Sequence, residues 1–328
     1  MGKLIDGEWH GDGAVAPTND KGEFERADSG FRDWLTADGG PGPDGQRGFK
    51  AEPGRYRLYV SLACPWAHRT LVARALKGLD DMLPVIVVGP VMGEHGWSFT
   101  EAFGGTGEPL YGLNHLHQLY TRARAGVSGK VTVPVLWDTV EQTIVSNESA
   151  DILRMLSNAF DDCGAAPGDF YPAELRTEIE AVNDRVYPGL NNGVYRAGFA
   201  VKQAAYDKAV RQVFETLDWL EERLSGREWL VGEQLTEADI RAFTTLVRFD
   251  PVYHGHFKCN WRRLIDYPHL SDFARRIAEL PGVAATIDLD QIKTHYYRSH
   301  PDINPSGIVP VGPAQGRIGK ADARTIGG

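Results

Sequence analysis

Cysteine is scarce in this chain, and its few cysteines are far apart. Among 328 residues there are three, Cys64, Cys163 and Cys259. An odd number of widely spaced cysteines gives no disulfide framework of the kind that stabilises small secreted proteins. Such cysteine usage suits a reducing compartment, so we predict a soluble, cytoplasmic protein.

Long apolar runs and an excess of positive charge are missing as well. No apolar run approaches the roughly 20 residues that a membrane-spanning helix needs, and residues 1–6 match neither a signal peptide nor a good myristoylation signal. The net charge is -9, whereas nucleic acids and anionic membranes select basic surfaces. We therefore expect neither a nucleic acid nor a membrane as the main partner.

A strand, a short turn and a helix are predicted around Cys64. Tyr56, Leu58 and Val60 alternate with their neighbours as in a half-buried strand. Pro65 is favoured as the first helical residue, because its missing N–H would have no partner there anyway. Cys64 then lies at or next to the N-cap, where free N–H groups and the helix dipole favour the nucleophilic thiolate. Cys64 is therefore a candidate nucleophile.

A second interpretation of Cys64 is a small buried hydrophobe, which is the common role of unpaired cysteines. The strand, turn and Cys-Pro helix start favour instead a thiol presented as in thioredoxin. Ala67 occupies the position of the second cysteine in a Cys-x-x-Cys dithiol. Any disulfide formed at Cys64 must then be released by an external thiol, for which glutathione is the natural candidate.

Two further segments fit a peptide-like ligand. Pro134 interrupts a β-branched run, which fits a cis Val133-Pro134 bond whose Val133 backbone is open to pairing with a ligand's backbone. Ser149 and the free N–H groups of the helix that follows form a carboxylate site, and Glu148 can receive an ammonium. Together they match an α-amino acid head group, although an ordinary helix N-cap is the alternative.

A polar, Gly-rich insertion at residues 90–129 follows the buried strand predicted at residues 84–88. Trp97 lies in this insertion and could cover a small ligand. His115 and His117 lack cysteines or carboxylates at metal-ligand spacing. We therefore predict a surface helix there and no metal site.

The chain divides into an arm, two domains and a tail. Residues 1–54 are rich in Gly, Asp and Pro, which predicts an extended N-terminal arm with a short helix near residues 31–35. Residues 55–160 have the strand and helix patterns of an α/β domain that contains the insertion. Residues 170–298 have a helical period, and residues 299–328 form an irregular C-terminal tail.

The helical half contains one long amphipathic helix and a well-marked helix start. Thr236-Glu237-Ala238-Asp239 resembles a capping box, with Asp in place of Glu or Gln. The long helix is predicted from apolar residues at i+3 and i+4 spacing, namely Val210, Val213, Phe214, Leu217, Leu220 and Leu224. These patterns predict an all-helical second domain.

These features together resemble the glutathione transferase superfamily over roughly residues 56–298. The resemblance implies an α/β thioredoxin-like N-terminal domain followed by an all-α glutathione-transferase C-terminal domain. Within the superfamily, the chain is similar to the Xi class, the glutathionyl-hydroquinone reductases. The segments that carry this similarity are Cys64-Pro65-Trp66-Ala67-His68-Arg69, Val131-Thr132-Val133-Pro134-Val135-Leu136-Trp137-Asp138, Ser146-Asn147-Glu148-Ser149 and Asn304-Pro305-Ser306-Gly307-Ile308-Val309-Pro310.

The resemblance also implies roles for individual residues. Cys64 is the nucleophile and Tyr195 a proton donor or acceptor, whereas the hydroxyls of Tyr253 and Tyr296 favour the thiolate. Lys130 stands where an Arg is expected, which keeps the charge but weakens a bidentate contact to a carboxylate. Glutathione is implied to bind on Trp97, Lys130, Val131, Thr132, Val133, Glu148 and Ser149.

The implied activity is the reduction of S-glutathionyl hydroquinones to hydroquinones with glutathione as co-substrate. It proceeds through a mixed disulfide between Cys64 and glutathione, which a second glutathione resolves. The resemblance also implies a homodimer. Two alternatives stay open: a conjugating transferase, in which Ser or Tyr activates glutathione without a covalent step, and a non-enzymatic ligand carrier of the same fold.

Overall fold

A computed structural model of the protein describes residues 2–11, 16–101 and 104–313. Its strands are β1 (Lys3–Ile5), β2 (Glu8–His10), β3 (Trp34–Thr36), β4 (Gly48–Lys50), β5 (Tyr56–Val60), β6 (Val85–Val87), β7 (Val135–Asp138) and β8 (Thr143–Ser146). Its α-helices are α1 (Pro65–Leu76), α2 (Leu116–Ala123), α3 (Ser149–Asn158), α4 (Arg176–Val186), α5 (Gly193–Gly198), α6 (Gln203–Arg223), α7 (Glu237–Leu246), α8 (Pro268–Ala278) and α9 (Leu289–Ser299). Short π-helical segments lie at Tyr187–Asn191 and Phe249–Tyr253.

The N-terminal half is built on a four-stranded sheet with the strand order β6-β5-β7-β8. β5 pairs in parallel with β6 and antiparallel with β7, which in turn pairs antiparallel with β8. Because α1 connects the parallel pair, the predicted strand-helix-strand unit is confirmed. The sheet and its helices confirm the α/β thioredoxin-like fold.

Tyr59 does not lie on the polar side of a half-buried strand, and the predicted alternation is wrong at this residue. Its side chain is fully buried, and its hydroxyl donates a hydrogen bond to Glu108 at 2.9 Å. The ring of Phe99 packs edge-on against it, with ring centroids 5.8 Å apart. Both partners belong to the insertion, so a distant segment covers the face that the local pattern leaves to solvent.

The N-terminal arm contains strands in place of the helix expected near residues 31–35. β1 and β2 form an antiparallel hairpin, and β3 pairs in parallel with β4. At the start of β4, a Cβ on Gly48 would lie 1.8 Å from the carbonyl oxygen of Gly40, so the close approach of the two segments requires glycine. The helix prediction is wrong because pairing with β4 outweighs local helix propensity.

The helical half confirms both sequence patterns. The apolar side of α6 is buried, as the periodicity predicts. At the start of α7, the Asp239 carboxylate accepts hydrogen bonds from the Thr236 N–H at 2.7 Å and the Leu230 N–H at 2.7 Å. The predicted capping box is therefore present. α9 ends at Ser299, where the tail begins, and residues 314–328 of the predicted tail lie outside the described residues.

α1 is the element at which the two halves meet. It packs against α3 of the N-terminal half and against α7 of the helical half. The pocket at its N-terminus is lined by side chains of both halves and by residues 24–29 of the arm. The fold thus places the start of α1, with Cys64, in the wall of a composite pocket.

Candidate active site

Cys64 is the N-cap residue of α1, as the sequence predicts. Its backbone is extended, with φ -77° and ψ 122°, and Pro65 follows as the first helical residue. The thiol is half-buried in the pocket and donates a long hydrogen bond to the Val133 carbonyl, with sulfur and oxygen 3.7 Å apart. The sulfur therefore lies between the helix start and the Val133-Pro134 turn.

Burial raises the pKa of the Cys64 thiol above its ordinary value. The backbone N–H groups of Ala67 and Trp66 and the charges of Arg248 and Arg26 lower the pKa, but burial has the larger effect. The sequence predicts the opposite net direction, because the pattern reports the helix start and not the side chains that cover it. The helix start lowers the pKa of the thiol, as predicted, but its effect is smaller than that of burial.

The Val133-Pro134 peptide bond is cis, as predicted. The segment before it is fixed by Tyr120, whose hydroxyl donates to the Thr132 carbonyl at 2.8 Å and accepts from the Thr132 N–H at 3.2 Å. Among the described residues, the Val133 N–H has no hydrogen-bond partner. The turn therefore presents both an N–H and a carbonyl to the pocket.

Glu148 is the N-cap residue of α3, so the alternative interpretation of this segment as a helix N-cap is confirmed. Its carboxylate accepts hydrogen bonds from the Ala150 N–H at 3.1 Å and from the Ser29 hydroxyl at 2.9 Å. Ser149 lies beside it, and its hydroxyl accepts from Arg69 at 3.4 Å. Both side chains also line the pocket, so capping does not exclude a ligand-binding role.

Trp97, in the insertion, is buried at the pocket wall. Its ring stacks on His295, with ring centroids 5.0 Å apart. Burial lowers the pKa of His295 to about 4, so the ring is neutral near pH 7 and its Nδ1–H donates to the Pro90 carbonyl at 2.7 Å. His295 is a pocket residue that the sequence did not suggest, since a lone histidine in a helix has no distinguishing pattern.

Three tyrosines form a hydrogen-bonded chain beside Cys64. The hydroxyl of Tyr296 lies 2.5 Å from that of Tyr195 and 3.1 Å from that of Tyr253. Burial raises the pKa of all three phenols, so they are protonated near neutral pH, and the charge of Cys64 contributes to the raised pKa of Tyr195. The hydroxyls of Tyr253 and Tyr296 thus form hydrogen bonds within this row of tyrosines, whereas the Cys64 sulfur donates its hydrogen bond to the Val133 carbonyl.

The structure brings nearly all of the predicted site residues to one pocket. Tyr253 is the exception, since it is fully buried behind Tyr296 and does not line the pocket. The others line it together: Cys64, Trp97, Lys130, Val131, Thr132, Val133, Glu148, Ser149, Tyr195 and Tyr296.

Arg26, in the arm, is a pocket residue that sequence reasoning missed. Its guanidinium lies 4.6 Å from the ring centroid of Trp66 and 5.0 Å from that of Tyr195. Its Nε–H donates to Asn192 at 2.8 Å. The aromatic Phe24 nearby was the available signal that the arm contacts the body, but the sequence does not reveal where.

The described part of the chain contains neither a cluster of metal-ligating side chains nor a membrane-spanning helix. Within residues 2–11, 16–101 and 104–313, no three histidine, cysteine or acidic side chains are arranged to hold a metal ion. In that same part of the chain, no helix has the length and apolar character needed to cross a bilayer.

Comparisons with known proteins identify the family of the chain. Family models match residues 63–159, described as "Glutathione S-transferase, N-terminal domain", and residues 203–276, described as "Glutathione S-transferase, C-terminal domain". The glutathionyl-hydroquinone reductase PcpF of Sphingobium chlorophenolicum is 55% identical over 96% of this chain and 97% of its own. The glutathionyl-hydroquinone reductase YqjG of Escherichia coli K12 is 56% identical over 96% of both chains.

Solved structures extend the comparison to the fold. The glutathione-bound structure of YqjG from Escherichia coli K-12 superposes with a TM-score of 0.89 at 53% identity, covering 99% of this chain and 100% of that one. The glutathione transferase Xi of Phanerochaete chrysosporium superposes with a TM-score of 0.84 at 47% identity, covering 90% and 95%. This chain therefore belongs to the glutathione transferase superfamily and, within it, to the Xi class.

Proposed function

We propose that this protein reduces S-glutathionyl hydroquinones to hydroquinones, with glutathione as co-substrate. The observation that carries the proposal is the position of the Cys64 thiol, at the start of α1 and opposite the Val133 carbonyl in the pocket. PcpF and YqjG, which share more than half of their residues with this chain over nearly its whole length, are named for this activity.

Glutathione fits the polar side of the pocket group by group. The Val133 N–H and carbonyl pair with the backbone of its cysteine, which directs the sulfur towards Cys64. Glu148 receives the ammonium of the γ-glutamyl group, and Ser149 at the start of α3 binds its carboxylate. Lys130 binds the glycine carboxylate. The remaining contacts come from Trp97, Val131 and Thr132, which line the same wall.

In the first step, the Cys64 thiolate attacks the sulfur of the glutathione conjugate. An S–S bond forms, and the bond between that sulfur and the aromatic carbon breaks. The electron pair of the broken bond stays on the aromatic carbon, which takes up a proton, so the ring carbon is reduced while the two sulfurs are oxidised to a disulfide. Tyr195 donates this proton, and the chain through Tyr296 to Tyr253 stabilises the charge left on its oxygen.

In the second step, the thiolate of a free glutathione attacks the glutathione sulfur of the mixed disulfide. The new S–S bond gives glutathione disulfide, and Cys64 leaves as thiolate. No second cysteine is needed, which agrees with Ala67 at the place of a resolving cysteine. The net reaction converts one glutathionyl hydroquinone and one glutathione into hydroquinone and glutathione disulfide, and the proton taken up in the first step is balanced by the one that the second glutathione releases when it forms its thiolate.

Steady-state turnover of S-glutathionyl-p-hydroquinone tests this function. We expect hydroquinone and glutathione disulfide to appear in equal amounts, and Cys64→Ala to lower the rate at least about a thousandfold because it removes the nucleophile. Cys163→Ala and Cys259→Ala are matched controls that should keep near wild-type rates. A similar loss in all three variants would contradict a single nucleophile.

The same protein preparation separates the alternatives. A conjugating transferase would join glutathione to a chloronitroarene faster than it consumes the glutathionyl hydroquinone. A ligand carrier would bind the conjugate without releasing hydroquinone. Either outcome in the wild-type protein would replace the reductase assignment.

The proposal includes a homodimer in a reducing compartment such as the cytoplasm. The free thiols of Cys64, Cys163 and Cys259 support the compartment, because none of them is in a disulfide. The dimer is expected to form through the helical half. A molar mass of one chain, measured by light scattering across a range of concentrations, would rule out the dimer.

A further inference from the structure

Arg248 is a fully buried guanidinium that contacts the loop just before Cys64. It follows the end of α7, and none of its surface is exposed. Its Nε donates to the Ala63 carbonyl at 2.9 Å, and its Nη2 donates to the Leu62 carbonyl at 3.1 Å. These carbonyls belong to the two residues that precede Cys64. A side chain of the helical half therefore holds the loop that presents the nucleophile of the other half.

The remaining guanidinium nitrogen, Nη1, is also held by hydrogen-bond partners. Nη1 donates to the Thr244 carbonyl at 2.7 Å and lies 2.9 Å from Nδ1 of His68. Because a guanidinium can only donate, Nδ1 must be the acceptor and His68 carries its proton on Nε2, 2.8 Å from the Thr286 hydroxyl. Burial, and then the charge of Arg248, lower the pKa of His68 well below its usual value, so this imidazole is neutral.

No carboxylate neutralises Arg248 within the described part of the chain. Its hydrogen-bond partners are three carbonyls and a neutral imidazole. Arg154, by contrast, pairs with Glu237 at 2.7 Å and with Glu180 at 2.6 Å. A buried cation without a counter-charge is costly. That cost is offset when a negative charge forms beside it, and Cys64 is the group that acquires one.

We propose that Arg248 is the positioning residue of the nucleophile: it fixes the loop of Leu62 and Ala63, and its charge stabilises the Cys64 thiolate when that thiolate forms. The proposal rests on the proposed role of Cys64 in thiol exchange. It adds a residue of the helical half, outside the pocket lining, to the machinery of the reaction.

Arg248 is the main counter-charge of the Cys64 thiolate, because the other ionisable groups near the sulfur and the guanidinium contribute less. Arg26 is the second cation that acts on the Cys64 thiol, but it lies exposed on the arm, where water and salt screen it. The nearby tyrosines and histidines are neutral near pH 7, because burial raises the pKa of the tyrosines and lowers the pKa of the histidines: Tyr195, Tyr253, Tyr296, His68 and His295. Lys130 and Glu148 line the same pocket, but neither is among the groups that shift the pKa of the Cys64 thiol most.

The test measures the rate of iodoacetamide alkylation of Cys64 against pH in the free protein, with Cys163 and Cys259 replaced by Ala. Arg248→Gln removes the charge but keeps an amide donor for the loop carbonyls, and Arg248→Lys keeps the charge but loses the fork. We expect the midpoint of Arg248→Gln to rise by about one pH unit or more, which is a tenfold or larger loss of thiolate below the midpoint. Arg248→Lys should stay within about half a unit of wild type.

Arg154→Met is the matched control, since it removes another largely buried guanidinium that does not act on the Cys64 thiol. It should lower the melting temperature and leave the midpoint in place. An unmoved midpoint in Arg248→Gln would overturn the proposal, and so would an equal shift in Arg154→Met. If Arg248→Gln does not fold, a shift of the alkylation midpoint by more than one pH unit in Arg248→Lys would overturn the proposal. These outcomes are independent of turnover, so the reductase function can stand or fall separately.

Discussion

Lys130 is the residue at which this chain departs from the Arg expected in its class. Its ammonium is half-buried in the pocket wall, and burial, followed by the charge of Arg26, lowers its pKa from the ordinary value. A lysine with a lowered pKa loses its charge at a less alkaline pH than a free lysine does. Its contact to a glutathione carboxylate should therefore weaken as the pH rises towards that pKa.

Lys130→Arg should strengthen glutathione binding and remove this loss at alkaline pH. The guanidinium stays charged throughout the range and can contact a carboxylate with two hydrogen bonds, which is worth about 1 kcal/mol, or roughly fivefold in Kd. Calorimetric titration with S-methylglutathione measures the change without ionisation of a ligand thiol. The idea fails if both proteins lose affinity in parallel between pH 7 and about 10.

At Cys64, the sequence predicts the position of the sulfur but not its titration. Pro65 and the alternating strand before it suffice to locate a helix N-cap, because those signals are local. The burial that raises the thiol pKa comes from segments far away in sequence, and the Arg248 contact to Ala63 joins residues 185 positions apart. Tyr195, Tyr253 and Tyr296 entered the site through family resemblance, since a tyrosine has no local signature of its role.

Among the elements, the start of α7 has a sequence motif whose contribution to stability can be measured. The Asp239 carboxylate accepts from Leu230 N–H, Thr236 N–H and the Thr236 hydroxyl. Asp239→Ala should lower the free energy of unfolding by about 2 to 4 kcal/mol, because it removes the cap and leaves buried donors without partners. The measurement is the melting temperature, which should fall by several degrees.

Asp272→Ala provides the control for this prediction. Asp272 is exposed on α8 and makes a surface ion pair with Arg275 at 3.5 Å. Exposed pairs of this kind contribute at most about 1 kcal/mol, so the melting temperature should hardly change. Equal decreases of the melting temperature in the two variants would mean that the capping box stabilises the helical half no more than an exposed ion pair does.

Long periodic elements could be predicted from the sequence, whereas short paired ones could not. α6 repeats its apolar spacing over several turns, so the pattern is unambiguous. β3 and β4 have three residues each, and nothing in either segment identifies its partner. The sequence near residues 31–35 therefore predicts a helix, and only the pairing of β3 with β4 decides otherwise.

Considered as a whole molecule, the protein assembles its pocket from three parts of the chain. The N-terminal half contributes Cys64 and the proposed glutathione contacts, the helical half contributes Tyr195 and Tyr296, and residues 24–29 of the arm complete the wall. Arg248 of the helical half lies outside the lining and holds the loop before Cys64. The sequence predicted the first two parts as domains, because each has its own periodicity. It did not predict the contribution of the arm, which depends on contacts such as the bidentate pairing of Arg32 with Asp151 at 2.7 and 2.8 Å.

The central claim is that Cys64 carries glutathione covalently between the two half-reactions. The most direct measurement is the intact mass of the wild-type protein after one equivalent of S-glutathionyl-p-hydroquinone is added without free glutathione. We expect one glutathionyl group on the protein, mapped to Cys64 by peptide analysis, an equal amount of released hydroquinone, and loss of the adduct when glutathione is added. Hydroquinone released without a protein adduct, or an adduct on Cys163 or Cys259, would contradict the account.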